Sequence, residues 1–160
     1  MSLTQYGRKI NKKEAKIYKK ANKIDFKQLL RGGSMTKNLF ERIDGVFMPV
    51  IDLDESIIWY KDILGLTLLY TWDGGAGFKV NEGDSLLGLI HVKDHFPAFF
   101  STQESKMHYF NFKTLDIENS CKLLKDRGVE MSEIIDAGKI KIAYFQDPNG
   151  NLLGMCEEVK

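Results

Sequence analysis

The residues with the most reactive side chains in this sequence are three histidines and two cysteines. His91 and His95 lie close together, whereas His108, Cys121 and Cys156 stand apart from them and from one another. Zinc sites and disulfide frameworks use closer, repeated spacings, so local sequence predicts neither. The histidines near residue 91 are expected at the solvated surface, Cys121 in the core, and nothing beside Cys156 marks it as a nucleophile. No catalytic residue is assigned from these side chains.

Any site must be positioned by residues 45–66, around which the chain is organised. Val46–Ile51 is apolar and contains a proline, which is typical of a strand at a sheet edge or a barrel seam. Asp52 or Asp54 then caps a helix whose apolar residues recur at spacings of three and four, and Gly65 ends it. The stretch predicts a strand, a tight turn and an amphipathic helix.

The same pattern occurs a second time. Phe110–Leu115 has the composition of a strand, Asp116 starts a helix, and Gly128 follows that helix. Asp54 and Asp116 are 62 positions apart, and Gly65 and Gly128 are 63 apart. A repeat that keeps this register predicts a duplicated structural module.

Turn residues divide the remaining sequence into short apolar segments. They predict a second helix at 116–127 and strands at 67–72, 77–81, 85–92, 107–115, 129–136, 140–146 and 151–158. The connection over 93–106 carries Phe96, Phe99 and Phe100. Because exposed apolar side chains are costly, we expect this connection to cover a cavity mouth or a subunit contact.

The net charge of +1 conceals a basic segment at the start of the chain. Residues 1–34 carry ten basic and two acidic side chains, a net +8, which leaves −7 for the remainder. Residues 6–30 predict an amphipathic helix, and the Gly-Gly pair at 32–33 predicts a flexible joint or an engineered junction. The helix packs on the body or another subunit, binds nucleic acid or an anionic membrane, or is not native. Packing is favoured, because a lysine face without arginine is a non-specific signal.

Length and apolar content favour one compact domain over residues 35–160. No apolar run approaches the roughly 18 residues of a membrane-spanning helix, and no apolar segment follows the basic start as in a signal peptide. Isolated cysteines fit a reducing compartment. The sequence therefore predicts a cytoplasmic protein with no membrane partner, and it disfavours a nucleic-acid partner.

Three motifs together resemble a known superfamily. They are Val-Ile-Asp-Leu-Asp-Glu-Ser at 50–56, Trp-Tyr-Lys-Asp-Ile-Leu-Gly-Leu at 59–66 and Phe-Gln-Asp-Pro-Asn-Gly-Asn at 145–151. Their order and spacing resemble the vicinal oxygen chelate superfamily of glyoxalase I, bleomycin-resistance proteins and extradiol dioxygenases. The resemblance implies an α+β fold in which two βαβββ modules, at about 40–93 and 107–158, form an incomplete barrel around a cavity, preceded here by the N-terminal helix.

The resemblance also implies where a metal ion would be bound. Metal-dependent relatives place one His, Gln or Glu ligand on each of four inner strands, and the matching positions here are Gly45, Gly88, Tyr109 and Gly154. Three glycines and a tyrosine offer a divalent cation too few donors. We therefore predict no metal and no cofactor.

A one-residue slip in this alignment would bring Asp44 and His108 to two ligand positions. The same slip places Leu87 and Leu153 at the other two, and it turns the inner face of every strand outward. The slipped alignment is the basis of an alternative hypothesis, a metalloenzyme with displaced ligands.

Glycines on an inner face leave room for a ligand close to the backbone. From the four implied positions, two-residue alternation predicts an inner wall of Phe47, Pro49, Leu86, Ile90, Met107, Asn111, Leu152 and Cys156. This wall suits a flat, apolar organic molecule stacked on Phe47, Tyr109 and Trp72, with Asn111 as a polar contact. His108 is expected to point away from it. If Phe47 and Tyr109 pack across the sheet, the interior is instead a filled core.

Three functional hypotheses follow. The first is a metal-free, homodimeric protein that binds a small organic compound, similar to the bleomycin-resistance branch. The second is a metal-dependent lyase, isomerase or dioxygenase of the glyoxalase type. The third is a regulatory protein that works through its basic arm. Whether the chain is an enzyme is left open by the sequence.

Overall fold

A computed structural model describes residues 4–5, 8–9, 40–81, 83, 85–94 and 97–159 of the chain. The chain divides into two units, Met1–Glu41 and Arg42–Lys160. In the first unit, strands β1 (Thr4–Gln5) and β2 (Arg8–Lys9) pair in antiparallel orientation. The helix predicted over 6–30 is therefore wrong at residues 8–9, and the rest of it lies outside the described residues together with the Gly-Gly joint.

The second unit begins with a four-stranded sheet, here called sheet one. Its strands are β3 (Gly45–Val50), β4 (Thr67–Trp72), β5 (Gly75–Lys79) and β6 (Leu86–His91). They lie in the order β3-β6-β5-β4, with β3 parallel to β6 and the other pairs antiparallel. Helix α1 (Leu53–Ile58) and a π-helical turn at Trp59–Ile63 connect β3 to β4.

A hairpin of β7 (Phe100–Ser101) and β8 (Lys106–Met107) then leads to a second four-stranded sheet. This sheet, called sheet two, consists of β9 (Asn111–Lys113), β10 (Ile135–Asp136), β11 (Ile140–Gln146) and β12 (Leu152–Glu158). Helix α2 (Ile117–Asp126) lies between β9 and β10 in the chain. The strand order is β10-β11-β12-β9, with β9 parallel to β12. In both sheets, therefore, the strand before the helix pairs with the last strand.

The predicted α+β class is confirmed, but two predicted strands are shorter than expected. The strand over 107–115 is interrupted between β8 and β9. The strand over 129–136 is reduced to β10 and a single bridge between Met131 and Phe145. Next to that bridge, the Ser132 N–H donates to the Tyr144 carbonyl at 2.8 Å, and the Tyr144 N–H donates to the Ser132 hydroxyl at 2.9 Å.

Both helices begin with the same capping arrangement. The carboxylate of Asp52 accepts the Glu55 N–H, and that of Asp116 accepts the Asn119 N–H, each at 2.9 Å. Asp52, and not Asp54, is the cap of the first helix. The two caps are 64 positions apart, so the offset of 62 taken from Asp54 was wrong.

The apolar core lies on one face of each sheet, under the helices. In sheet one it takes alternate residues, including Met48, Phe78 and Leu87, and in sheet two it includes Leu153. Each such side chain contributes roughly 1.5–3 kcal/mol through burial. No helix in the described ranges has the length and apolar character to cross a membrane. The opposite face of each sheet is where candidate site residues lie.

A buried polar network connects the two sheets. The Tyr60 hydroxyl donates to the Asp147 carboxylate at 2.8 Å, and the Asn151 amide donates to Asp147 at 2.7 Å and to the Pro49 carbonyl at 2.9 Å. The Asn151 side-chain oxygen accepts the Ala98 N–H at 2.7 Å. The Asp-Pro-Asn-Gly-Asn turn therefore joins sheet one, sheet two and the connection between them.

Candidate functional site

The solvent-facing side of sheet one carries an aromatic ring seated on a glycine. Phe47 pairs with Gly88 across β3 and β6. A Cβ atom on Gly88 would lie 2.5 Å from a carbon of the Phe47 ring, so the ring lies directly on the glycine backbone. The other side of the ring is open, because Phe47 is 68% exposed. Gly45 carries no such ring, and its nearest neighbour for a Cβ is the Leu86 carbonyl at 3.4 Å.

The opposite edge of sheet one repeats this arrangement twice. Tyr70 pairs with Gly77, and Trp72 pairs with Gly75. A Cβ on Gly77 would lie 2.7 Å from the Tyr70 ring, and one on Gly75 would overlap the Trp72 indole. The two rings are 5.8 Å apart, and their side chains are 52% and 40% exposed.

Phe47, Tyr70 and Trp72 thus form one surface, which we call the aromatic face. Half-buried Ile90, at the predicted position, lies between Pro49 and Gly75 in the strand register. Because each glycine seats a ring close to the backbone, the rings are held in place with their outer surfaces free. Such a surface can stack a flat apolar molecule.

The glycines therefore do not leave the empty space that the sequence predicted. At Gly88, Gly77 and Gly75 the room is taken by the chain's own rings. The expected contact residues Phe47 and Trp72 are on the face, but Tyr70 was missed. Counting back two residues along the strand from Trp72 would have found it.

A second cluster lies on sheet two. The space above Gly154 is filled by the His108 imidazole and the Asn111 amide, whose Nε2 and Oδ1 atoms are 2.6 Å apart. The His108 ring also packs on Tyr144, with 5.1 Å between the ring centroids. Gly154 pairs with both Asn111 and Tyr144 in the sheet. This polar cluster is compact and carries one unusual group, a buried His108 Nδ1 without a hydrogen-bond partner.

His108 therefore occupies the position over Gly154 that we predicted for Tyr109, and the predicted outward direction of His108 was wrong. Tyr109 is 65% exposed, stacks on Phe100 at 5.4 Å and donates its hydroxyl to the Phe99 carbonyl at 3.3 Å. Strand alternation fails here because β8 ends at Met107 and β9 begins only at Asn111. Tyr109 packs with the connecting segment and not over Gly154.

The remaining predicted contact in sheet two is Cys156. It is half-buried, unpaired as a thiol, and lies between Ile142 and Lys113 in the register. It shares a sheet face with Gly154 by two-residue alternation. The structure thus groups the predicted residues into two sets: Gly45, Phe47, Gly88, Ile90 and Trp72 on sheet one, and Asn111, Gly154 and Cys156 on sheet two.

Side chains that could bind a metal ion do not cluster on sheet one or sheet two in the described part of the chain. Within the described residues, no three His, Cys, Asp or Glu side chains lie close enough together to hold an ion. Asp44 forms an exposed ion pair with Arg42 at 2.9 Å, while His108 is bonded to Asn111. The two residues of the displaced-ligand alternative therefore have different partners.

The described part of the phenylalanine-rich connection bonds to strand β12 and pairs with strand β8. The Leu152 N–H donates to the Ala98 carbonyl at 3.2 Å, and Phe100 pairs with Met107 in the hairpin. Phe100 is 43% exposed beside Tyr109. His95 and Phe96 lie outside the described residues, so the expected cover over a cavity mouth or subunit contact stays a prediction.

Comparison with known proteins gives a consistent family and fold. Residues 42–155 match the model of the Glyoxalase/Bleomycin resistance protein/Dioxygenase superfamily. No curated protein sequence matches the chain. Many solved structures share the fold, and three of them, described next, each cover about three quarters of this chain at low identity.

A protein assigned to the glyoxalase family from Bacillus anthracis has a TM-score of 0.66 at 20% identity, covering 78% of this chain and 100% of its own. TnmS3, an antibiotic binding protein from Streptomyces sp. CB03234, has a TM-score of 0.62 at 20% identity, with 77% and 100% covered. Lactoylglutathione lyase from Agrobacterium tumefaciens has a TM-score of 0.59 at 18% identity, with 75% and 96% covered. At these identities the likeness concerns the fold.

Proposed function

Because the chain belongs to the Glyoxalase/Bleomycin resistance protein/Dioxygenase superfamily, we propose that it binds a flat, largely apolar organic compound on the aromatic face, without a metal ion. The observation that carries the proposal is the seating of Phe47, Tyr70 and Trp72 on glycines with their outer surfaces exposed. Rings that are fixed before a ligand arrives lose little conformational entropy on binding, which favours affinity.

The chemistry of the face supports stacking more than proton transfer. Its three side chains offer aromatic surface, one phenol hydroxyl and one indole N–H, and no carboxylate or imidazole. Stacking between aromatic rings contributes about 0.5–1.5 kcal/mol per pair beyond the area that it buries. A planar molecule with a few polar substituents fits this inventory.

The fold comparisons are compatible with this class of ligand. TnmS3 is an antibiotic binding protein, and lactoylglutathione lyase is an enzyme, so the fold serves both binding and catalysis. Among the residues that the structure describes, the absence of a three-ligand cluster gives no specific support to the metalloenzyme alternative. The proposal favours binding over catalysis because the aromatic face offers surfaces for stacking.

A homodimer and a cytoplasmic location are parts of the same proposal. A single chain leaves the aromatic face open on one side, so a site that encloses its ligand needs a second surface. A second copy of the chain supplies one, with two βαβββ modules per chain arranged around the shared space. Asn111, Gly154 and Cys156 on sheet two stay predicted contacts within that space.

The proposal is tested by thermal unfolding with a panel of planar aromatic metabolites and antibiotics. A ligand present at 100 times its dissociation constant stabilises the folded protein by about 2.7 kcal/mol, which raises the melting temperature by about 5 °C or more. Trp72→Ala and Tyr70→Ala should remove most of this shift. Tyr109→Ala is the matched control, because Tyr109 is an exposed aromatic residue away from the face.

Two results would count against the proposal. One is a melting temperature that no compound of the panel raises, or that a compound raises by an amount that Tyr109→Ala and Trp72→Ala reduce equally. The other is stoichiometric zinc, nickel, manganese or iron in protein purified without chelator, lost in His108→Ala. The second result would restore the metalloenzyme hypothesis.

A further inference from the structure

A separate cavity of about 590 Å³ lies away from the aromatic face, at the end of the first helix. The π-helical turn Trp59–Ile63 forms one wall, and the segment from Arg127 to Ser132 forms the other. The cavity volume falls within the range of about 300–1,000 Å³ that is usual for small-molecule sites. We call this cavity the helix-end cleft.

The π-helical turn arises from one extra residue. Asp52 is 13 positions before Gly65, whereas the equivalent Asp116 is 12 positions before Gly128. The wider turn absorbs the additional residue, with the Leu64 N–H bonded to the Trp59 carbonyl at 3.3 Å. Single π turns inside α-helices occur frequently at functional sites. Here the turn places Trp59 at the cleft.

The Trp59 indole gives the cleft an aromatic wall. Its ring is 5.0 Å from that of Tyr60 in an edge-on contact and 6.5 Å from that of Phe145. Phe145 and Met131 also line the cleft. An indole face attracts organic cations more strongly than other aromatic side chains do.

The charges around the cleft favour a cation. Glu130 lines it with an exposed carboxylate. Asp147 lines it too, and its oxygens already accept bonds from Tyr60, Asn149 and Asn151. The one basic lining residue, Arg127, donates from its guanidinium to the Ile63 carbonyl. One positive and two negative groups leave the lining at −1.

We propose that the helix-end cleft is a second binding site, for a small organic ammonium ion with an apolar body. The apolar body lies along Trp59 and Met131, and the ammonium lies towards Glu130, away from Arg127. This site is independent of the proposed function, because it shares no residue with the aromatic face. Nuclear magnetic resonance can separate the two sites, since the chain has two tryptophans, Trp59 in the cleft and Trp72 on the face.

The experiment follows the two indole N–H resonances of ¹⁵N-labelled protein during titration with benzyltrimethylammonium. Trp59→Phe and Trp72→Phe assign the two signals. We expect the Trp59 signal to shift saturably at millimolar probe while the Trp72 signal stays in place. Neutral benzyl alcohol and anionic benzoate serve as probes of matched size, and each should bind more weakly than the cation.

Glu130→Gln should weaken binding of the cation roughly three-fold, as expected for an exposed charge pair. Glu133→Gln is the matched control, because it removes the same charge directly after the lining segment, and Glu133 does not line the cleft. A Trp59 signal that does not move overturns the proposal, as does equal binding of all three probes or an equal effect of the two glutamate variants. A shift of the Trp72 signal alone assigns the cation to the aromatic face and also overturns it.

Discussion

At the scale of single residues, the aromatic face depends on glycines that support rings. Glycine in a strand interior usually weakens a sheet, because it has no side chain to pack and loses much conformational freedom on folding. Here Gly88, Gly77 and Gly75 each gain a ring from another strand, which covers the bare backbone. The glycines in turn fix the positions of the rings, because each ring lies directly on the glycine backbone. Aromatic residue and glycine should therefore be energetically coupled.

This coupling predicts the effect of adding a methyl group at Gly88. In Gly88→Ala the new Cβ would displace the Phe47 ring, so we expect a loss of about 1 kcal/mol in the free energy of unfolding. Gly45→Ala, on the same face and with a nearest neighbour at 3.4 Å, should stabilise the protein by about 0.5 kcal/mol. Urea denaturation measures both values.

The double variant makes this test specific. Once Phe47→Ala has removed the ring, Gly88→Ala should cost nothing, and the coupling energy of the cycle should be about 1 kcal/mol. Gly88→Ala that is equally costly with and without the Phe47 ring would show that the backbone, and not the ring, resists the methyl group.

The sequence could predict only part of these residue positions. Two-residue alternation placed Phe47, Gly88 and Ile90 on one face correctly relative to one another. It failed at Tyr109 and His108, because alternation holds only along a continuous strand and the strand is broken there. Whether a glycine leaves space or seats a ring depends on the neighbouring strand, and no local pattern contains that information.

At the scale of elements, the two halves of the second unit differ by one residue in their helices. Both helices begin with a capping Asp, and the serine four positions later, Ser56 or Ser120, donates to the backbone of that Asp. Both are followed by a glycine with positive φ, at 74° for Gly65 and 84° for Gly128. The extra residue of the first half lies between these shared points, where the π turn absorbs it.

Deleting Lys61 should therefore be tolerated. Lys61 is an exposed residue of the π turn, and its removal gives the first helix the same spacing from Asp to Gly as the second. We expect a regular α-helix and a loss of less than about 1.5 kcal/mol in the free energy of unfolding. The Trp59 signal should move, because the cleft wall changes.

Deletion of Lys122 is the control for the second helix. Lys122 is also exposed, but its helix contains no π turn and no extra residue. The deletion therefore rotates buried Leu124 away from the core. We expect a loss of more than about 3 kcal/mol. Equal losses for the two deletions would contradict the interpretation of the π turn as an absorbed insertion.

At the scale of the whole molecule, sequence motifs predicted the architecture better than they predicted its surfaces. The motifs at 50–56, 59–66 and 145–151 led to the superfamily, because each contains the residues of a local turn or a helix end. The role of Asp147 in joining the two sheets could not be derived, since it depends on Tyr60, which is 87 positions away. Contacts at such separation are set by packing, not by local pattern.

The hydrogen bond between Tyr60 and Asp147 predicts how stability depends on pH. Burial, followed by the negative charge of Asp147 and the hydrogen bond to it, raises the pKa of Tyr60 well above its usual range. In the unfolded chain a tyrosine titrates near pH 10. Below that pH the contribution of Tyr60 to stability is fully present, because both states hold the proton. Above it the unfolded chain releases the proton while the folded chain keeps it, so the contribution declines.

Tyr60→Phe isolates this contribution, because phenylalanine keeps the ring and removes the titrating hydroxyl. At about pH 7 we expect the variant to be less stable than the parent by roughly 1.5–3 kcal/mol, the loss of a hydrogen bond to a charged acceptor. Between about pH 10 and pH 11 the difference should shrink by about 1 kcal/mol, because half of the unfolded chains have already lost the proton at pH 10. Tyr70→Phe, which removes an exposed hydroxyl, should change stability by less than about 0.5 kcal/mol. Urea denaturation of the three proteins across this range checks the sign, and a Tyr60→Phe difference that stays constant with pH would contradict the buried, proton-bearing Tyr60 on which the junction of the two sheets rests.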